Sequence, residues 1–254
     1  MSTQDGKLVY RKQTPWHLIE VRENQNLRWL HFGSNKYQSA MDKQYPTRLL
    51  LDYMPIMMAG LHFIPPPNEI LLLGLGGGAL VRYLLAKLPA CHLTVVELNP
   101  DVIDVAYQYF ALPRHSPQLT IIAADAEHYL KQTKQLFDLI LVDIFGADKL
   151  PAFCQDQRFY QNGRRILAPN GLLITNLLCH QAKQLYQVVN QIRLAFAKQT
   201  LYIQVPQQTN HLVFAFNDTR YTQTINRLID QNIIQRAQLD LNLGLCAQQI
   251  RPLD

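Results

Sequence analysis

Gly74, Gly76 and Gly78 stand at alternate positions in "EILLLGLGGGALVRYLL", residues 69–85, where five near-consecutive apolar residues meet a glycine cluster and a leucine-rich run. A GxGxG at the end of a strand bends tightly and brings bare backbone close to a ligand, because no side chain stands in the way. Glu97 closes the next apolar run, 19 residues beyond Gly78. That is close to the roughly 20-residue interval at which a carboxylate meets the ribose hydroxyls of an adenosine ligand. Asp125 follows "LTIIAA" and Asp143 ends "FDLILVD". Acids at successive strand ends, with Asp148 as a further candidate, can hold a ligand's hydroxyl and amino groups or take a proton from an amine. Each residue also has a plainer reading: a solvated strand end for Glu97, a helix N-cap for Asp125, a helix cap or buried ion pair for Asp143.

Positioning these residues requires strands that alternate with helices. After Pro65-Pro66-Pro67 the apolar runs "EILLLGL", "HLTVVEL", "LTIIAA", "FDLILVDIF" and "GLLITNLL" show little polar alternation, as in a parallel sheet covered on both faces. Helices are predicted from about Ala79, over "PDVIDVAYQYF", over "AEHYLKQT" and around "FYQNGRRIL". "AKQTLYIQVP" and "NHLVFAFND" are predicted to close the sheet as an antiparallel hairpin. The fold class expected is α/β, a Rossmann-like doubly wound sheet with that C-terminal hairpin, and it resembles the class I S-adenosylmethionine-dependent transferases. In such folds an acid at the position of Asp125 accepts from the adenine amino group, which a nicotinamide-dinucleotide site does not require. Upstream, "KLVYRK", "HLIEVREN", "LRWLHFG" and "YQSAM" read as short strands and "PTRLLLDYMPIMMAGLHF" as a helical approach. The predicted organisation is a β-strand element over 1–45, a helical connector over 46–67 and the nucleotide-binding domain over 68–254.

Composition narrows the function classes. The chain has 254 residues, 48% of them hydrophobic, enough to bury a full core. No window approaches the eighteen or so apolar residues of a membrane span, and "MSTQDGKLVYRKQ" lacks the apolar core of a signal peptide, so a cytoplasmic protein without membrane association is expected. The 24 Lys and Arg against 19 Asp and Glu give +5, spread without a basic run, which argues against a nucleic-acid partner. The four cysteines lack metal spacing, and the histidines show no ligand periodicity, so no metal is expected. Trp16, Trp29 and the tyrosines fit packing or pocket walls. Asn176, closing "LLITN", fits either the ligand edge or a strand end.

The runs "ILLLGLGGGALVRYLL", "LTVVELNPDVIDVAYQYF", "LTIIAADAEHYL", "FDLILVDIFGADKLP" and "FYQNGRRILAPNGLLITNLL", with "LRWLHFGSNKYQSAMD" upstream, resemble the spermidine-synthase-like family in matching order over residues 7–216. The resemblance implies contacts to an adenosyl cofactor from Gln38, from the turn Gly74, Leu75, Gly76, Gly77 and Gly78, from Glu97 with Leu98, from Asp125 with Ala126, and from Asp143. It also implies that Asp143 is the catalytic acid that assists deprotonation of an attacking amine, and that the protein forms a homodimer. The departures lie on the acceptor side. Spermidine synthases resemble G-G-G-D-G-G at the turn, where the acid meets the aminopropyl ammonium of decarboxylated S-adenosylmethionine; this chain has no acid there. Their Tyr-His-Glu corresponds to "YPTRLLLDY", and their D-S-x-D-P to Asp143-Ile144-Phe145-Gly146-Ala147. A buried ammonium without a carboxylate partner is strongly disfavoured, so these losses weaken polycation binding. The expectation is an S-adenosyl-dependent transferase that moves an alkyl group, methyl in preference, to a small-molecule or protein amine. Its cofactor is S-adenosylmethionine or the decarboxylated form. Arg48 is a candidate partner for the carboxylate that only the former carries, with an exposed helical arginine as its plainer and preferred reading. The alternatives are a polyamine aminopropyltransferase, a NAD-dependent oxidoreductase, and a non-catalytic adenosyl-binding module.

Overall fold

The N-terminal strands owe their arrangement to turn chemistry and alternation. In the computed structural model, which describes residues 6–34, 37–144, 150–179, 181–217 and 251–252, β1 (Lys7–Gln13), β2 (Leu18–Glu23), β3 (Leu27–Phe32) and β4 (Tyr37–Asp42) form an antiparallel meander in that order. The Thr14 hydroxyl donates to the His17 carbonyl at 2.8 Å and closes the first turn. Asn24 accepts from the backbone of Asn26 and Leu27 and closes the second. Ile19, Val21, Leu30 and Phe32 fall on one buried face.

The connector departs from the sequence pattern. Only α1 (Tyr53–Met58) is α-helical, followed by a single 3₁₀ turn over Ala59–His62, whereas the pattern predicts a helical approach from Pro46 onward. A six-residue helix has no stability of its own. It persists because Tyr53, Met54, Ile56, Met57 and Met58 are buried in the core beneath the large sheet.

Beyond it the chain alternates β5 (Glu69–Leu73), α2 (Ala79–Lys87), β6 (His92–Glu97), α3 (Pro100–Tyr109), β7 (Leu119–Ala123), α4 (Ala126–Gln132), β8 (Phe137–Val142), α5 (Gln157–Arg165), β9 (Leu167–Leu178), α6 (Ala182–Ala195), β10 (Thr200–Gln204) and β11 (Asn210–Phe216), with a two-residue β12 (Arg251–Pro252) on the edge. The order is β12-β10-β11-β9-β8-β5-β6-β7. Strands β5 to β9 run parallel, while β11 lies antiparallel to both β9 and β10. The chain therefore winds outward from β5 in both directions, and the switch point falls between β5 and β8. Crevices at such points, outside the carboxyl ends of the strands, are where open α/β sheets bind ligands.

Helix α6 is absent from the sequence-level alternation. Its fourteen residues bury only Val188, Val189, Ile192 and Ala195 in a glutamine-rich run, too thin a stripe to stand out. The following "AK", predicted as the start of a strand, instead turns left-handed, with φ 50° at Ala197 and 65° at Lys198, and β10 begins at Thr200.

Two apolar layers cover the faces of the sheet, one beneath α1 and α2, the other beneath α4, α5 and α6. A third cluster joins the N-terminal sheet to Val102, Val105 and Phe110 in and just after α3, which hangs the meander over the carboxyl ends of the parallel strands. Cys91, Cys154 and Cys179 are buried free thiols.

Candidate functional site

Strand β5 delivers its glycines into a turn that only glycine fits. Gly74, Gly76 and Gly78 have φ of 95°, 52° and 69°. A Cβ at Gly74 would lie 2.3 Å from the Asp143 carbonyl oxygen, so the turn runs directly against the end of β8. Gly78 caps α2 and donates its N–H to the Leu75 carbonyl at 2.9 Å.

Glu97, at the end of β6, ties this turn in place. Its carboxylate accepts from the Leu75 N–H and the Asn99 N–H, both at 2.9 Å. Burial raises its pKa, against the opposing pull of those backbone donors. Asn99 then caps α3 by accepting from the Asp101 N–H at 3.0 Å, and its amide donates to Thr14 of the meander at 3.2 Å. Asp125 serves as N-cap of α4, accepting from His128 N–H at 2.8 Å, and also lines the cavity. The helix cap read from the sequence is present, and the same residue stands at the cavity wall.

Asp143 is held from two directions. The Tyr53 hydroxyl donates to one carboxylate oxygen at 2.8 Å, and the Asn176 amide donates to the other at 3.0 Å. Asn210 on β11 in turn donates to the Asn176 carbonyl oxygen at 3.0 Å. Burial pushes the Asp143 carboxyl up to about 6, with both donors working against that rise. Neither the helix cap nor the ion pair considered for Asp143 is present among the described residues.

A cavity of about 290 Å³ opens over these groups. Gln38, Gly74, Leu75, Gly76, Glu97, Leu98, Asp125, Ala126 and Asp143 line it. Gly77 and Gly78 are not among its lining residues. A Cβ at Gly77 would meet Ser39 Oγ at 2.7 Å and Phe110 at 3.0 Å, so this part of the turn packs against the meander and α3 instead. Arg48 lies outside the cavity, its side chain 67% exposed and 3.8 Å from Asp42. Asp42 accepts from the backbone of Gln44 and Tyr45, and Asp52 from the Gln208 amide, so neither acid faces the cavity. Asp148 and residues 145–147 fall outside the described residues.

Several lining residues carry no sequence signal of function: His17, Phe32 and Ser39 from the meander, Met54 from α1, and Phe153, while Trp16, read from the sequence as packing or a pocket wall, lines it as well. His17 stacks on Phe32 with ring centroids 3.8 Å apart. Asn99 had a usable signal, since Asn before Pro is an N-cap pattern. Among the described residues no cluster of His, Cys, Asp and Glu could hold a metal, and no helix is long and apolar enough to cross a membrane.

The spermine/spermidine synthase domain matches residues 53–226, more than half of the chain. A polyamine aminopropyltransferase from Neisseria meningitidis is 31% identical over 211 residues, which cover 83% of this chain and 80% of the relative. The structure of a probable spermidine synthase from Corynebacterium glutamicum superposes with a TM-score of 0.73 at 19% identity, covering 88% of each chain. Human methyltransferase-like protein 13, solved in complex with SAH, superposes with a TM-score of 0.62 at 21% identity, covering 81% of this chain and 96% of its own. The same sheet thus serves proteins of both names. With the family domain matched from α1 through β11 and a relative above 30% identity along most of both chains, this chain belongs to the spermine/spermidine synthase family of transferases.

Proposed function

We propose that this protein is an S-adenosyl-dependent transferase that moves a methyl group from S-adenosylmethionine to an amine. The observation that carries the proposal is the division of the three acids lining the cavity. Glu97 and Asp125 stand on the side of β6, β7 and the glycine turn, and Asp143 alone stands across β8, held by Tyr53 and Asn176. Glu97 would take the ribose hydroxyls, Asp125 with Ala126 the adenine, and Gly74 to Gly76 the backbone of the sulfur-bearing chain. S-adenosylmethionine bound there supplies an electrophilic methyl carbon on a sulfonium, whose carbon–sulfur bond breaks to leave a neutral thioether.

Asp143 acts on the incoming amine. It accepts the ammonium proton, leaving the nitrogen lone pair free to form the new carbon–nitrogen bond. A carboxyl near 6 is ionised at neutral pH and is a stronger base than an ordinary Asp. Tyr53 and Asn176 fix its direction, so the amine meets a positioned acceptor. Attack on a sulfonium carbon needs alignment and water exclusion, and Met54, Ile144 and Phe153 supply apolar walls.

Methyl rather than aminopropyl transfer is supported at the turn. No acid stands there, and Ser39 fills the space that a side chain at Gly77 would need. One carboxylate facing the acceptor suits a single amine, on a small molecule or a protein, better than a polycation. A second reading, aminopropyl transfer, is favoured by the Neisseria relative. The test is calorimetric titration with S-adenosylmethionine, its decarboxylated form and methylthioadenosine, followed by mass spectrometry of amine acceptors. A mass gain of one methyl on an amine, with S-adenosylmethionine bound at least as tightly as the decarboxylated form, supports the proposal. Putrescine turnover with strong preference for the decarboxylated form replaces it with the second reading.

A further inference from the structure

The side chains that hold Asp143 extend beyond the cavity into the antiparallel part of the sheet. Tyr53 and Asn176 bond its carboxylate directly, and Asn210 reaches it through Asn176. Asn176 on β9 pairs with Leu212 of β11. Asn210 stands two residues before Leu212, so alternation sets it on the same face, on the diagonal from Asn176.

Asn176 is 1% exposed, and a buried amide has two unlike ends of nearly equal size. With its NH2 toward Asp143 it donates, which favours the carboxylate. Turned by half, it would present an oxygen, which only a protonated carboxyl could bond. The choice is made at the far end of the amide. There Asn210 donates to the Asn176 side-chain oxygen at 3.0 Å, while Asn176 donates to Asp143 at 3.0 Å. Both bonds point toward the charge, and each strengthens the other. A reversed Asn176 would set its NH2 against the NH2 of Asn210, so reversal must turn both amides. Burial lifts the Asp143 carboxyl to about 6, and the Asn176 donor opposes that rise.

Few titratable or charged groups surround this chain of bonds. Tyr53 from α1 bonds Asp143 and also meets Asn176. Its neighbour Asp52 is held by Gln208 at 3.1 Å. Glu97 and Asp125 stand across the cavity on the side of β6 and β7. His211, next to Asn210, points to the other face of β11 and bonds Tyr202 at 2.6 Å. Among the described residues only Asn210 bonds to the Asn176 side-chain oxygen.

We infer that Asn210 is a positioning residue for the transfer, which turns the Asn176 amide so that Asp143 meets an N–H and stays in the form that takes the amine's proton. The inference rests on Asp143 as the base of the proposed transfer. Asn210 does not line the cavity, so it acts through Asn176.

The test reads the protonation of Asp143 directly, by NMR titration of the full chain carrying 13C-labelled aspartate carboxyls. The Asp143 signal is identified by its loss in Asp143→Asn. Asn210→Asp replaces the donor by an acceptor and is expected to raise the Asp143 midpoint by about one to two units. Part of that rise comes from the new charge alone. Asn176→Ala removes the amide between the two, and on that background Asn210→Asp should move the midpoint by less than about half as much. Equal shifts on the two backgrounds would reveal a charge acting through space and overturn the inference. Should a variant fail to fold, Asn210→Leu decides, since it removes the donor at a half-buried position without adding charge. A rise of about half a unit or more is expected there, and an unmoved midpoint overturns the inference. In turnover by Asn210→Asp, the acid limb of the kcat/KM profile should rise with the midpoint, and a uniform loss at every pH overturns the positioning role. If the wild type transfers nothing to any amine while the midpoints move as expected, the transferase reading fails and the hold of Asn210 on Asp143 stands.

Discussion

Burial lifts the Asp143 carboxyl to about 6, so folding works against the charge that the proposed transfer uses. The native state binds this proton more tightly than the unfolded chain does. Stability is therefore greatest below the unfolded value near 4 and falls as pH rises through 6. Asp143→Asn removes that penalty, while its amide can still accept from Asn176 and donate to the Tyr53 hydroxyl. The expected outcome at pH 7 is a gain of roughly 1 to 3 kcal/mol with turnover down about a hundredfold or more. Denaturant titrations at pH 4 and pH 7 check it: the gain should shrink at the lower pH, and an equal gain at both would sink the assignment. Glu97 behaves differently, because it anchors two backbone N–H groups as well as facing the cavity. Glu97→Ala should cost about 1 to 3 kcal/mol of stability together with nucleotide affinity, since the donors of Leu75 and Asn99 lose their acceptor. Melting curves beside calorimetry would separate these effects, and an unchanged melt would contradict the anchoring role.

The elements hold these groups through parts that look unpromising in the sequence. Helix α1 has six residues and no cap hydrogen bond from its N-cap side chain, yet it presents Tyr53 to Asp143. Strand β9 presents Asn176, and β11 braces it through Asn210. In Tyr53→Phe the ionised Asp143 loses a hydrogen bond of about 1.5 to 3 kcal/mol, which raises its pKa by about one to two units. The acid limb of the kcat/KM profile should move upward by that amount, with most activity recovered on the alkaline side. A uniform loss at every pH would show that Tyr53 acts only through packing.

For the whole molecule, the decisive feature is the seam between the meander and the parallel sheet. Phe110 is fully buried there among Ile19, Leu30, Val102 and Val105, and it touches the space beside Gly77. Phe110→Ala should lower stability by about 3 to 5 kcal/mol and loosen the wall formed by Ser39 and the turn. Saturating ligand should restore part of the loss, since it binds only the assembled cavity. Chemical denaturation with and without S-adenosylmethionine measures both. Equal losses in the two series would mean that the seam and the cavity are independent.

The sequence by itself determined the alternation of strands and helices, the glycine turn, and the acids Glu97, Asp125 and Asp143. Each of these is local: strand runs covered on both faces are continuously apolar, left-handed turns demand glycine, and strand ends carry the polar groups. Only the tertiary structure decided the rest. Ser39, nearly forty residues upstream, fills the space a side chain at Gly77 would need. Arg48 lies outside the cavity beside Asp42, and α1 formed through burial that its six residues do not announce. The partners of Asp143 come from positions 53 and 176, and the partner of Asn176 from position 210. Such pairings depend on which strands lie side by side, and no periodicity along the chain encodes contacts between residues so far apart.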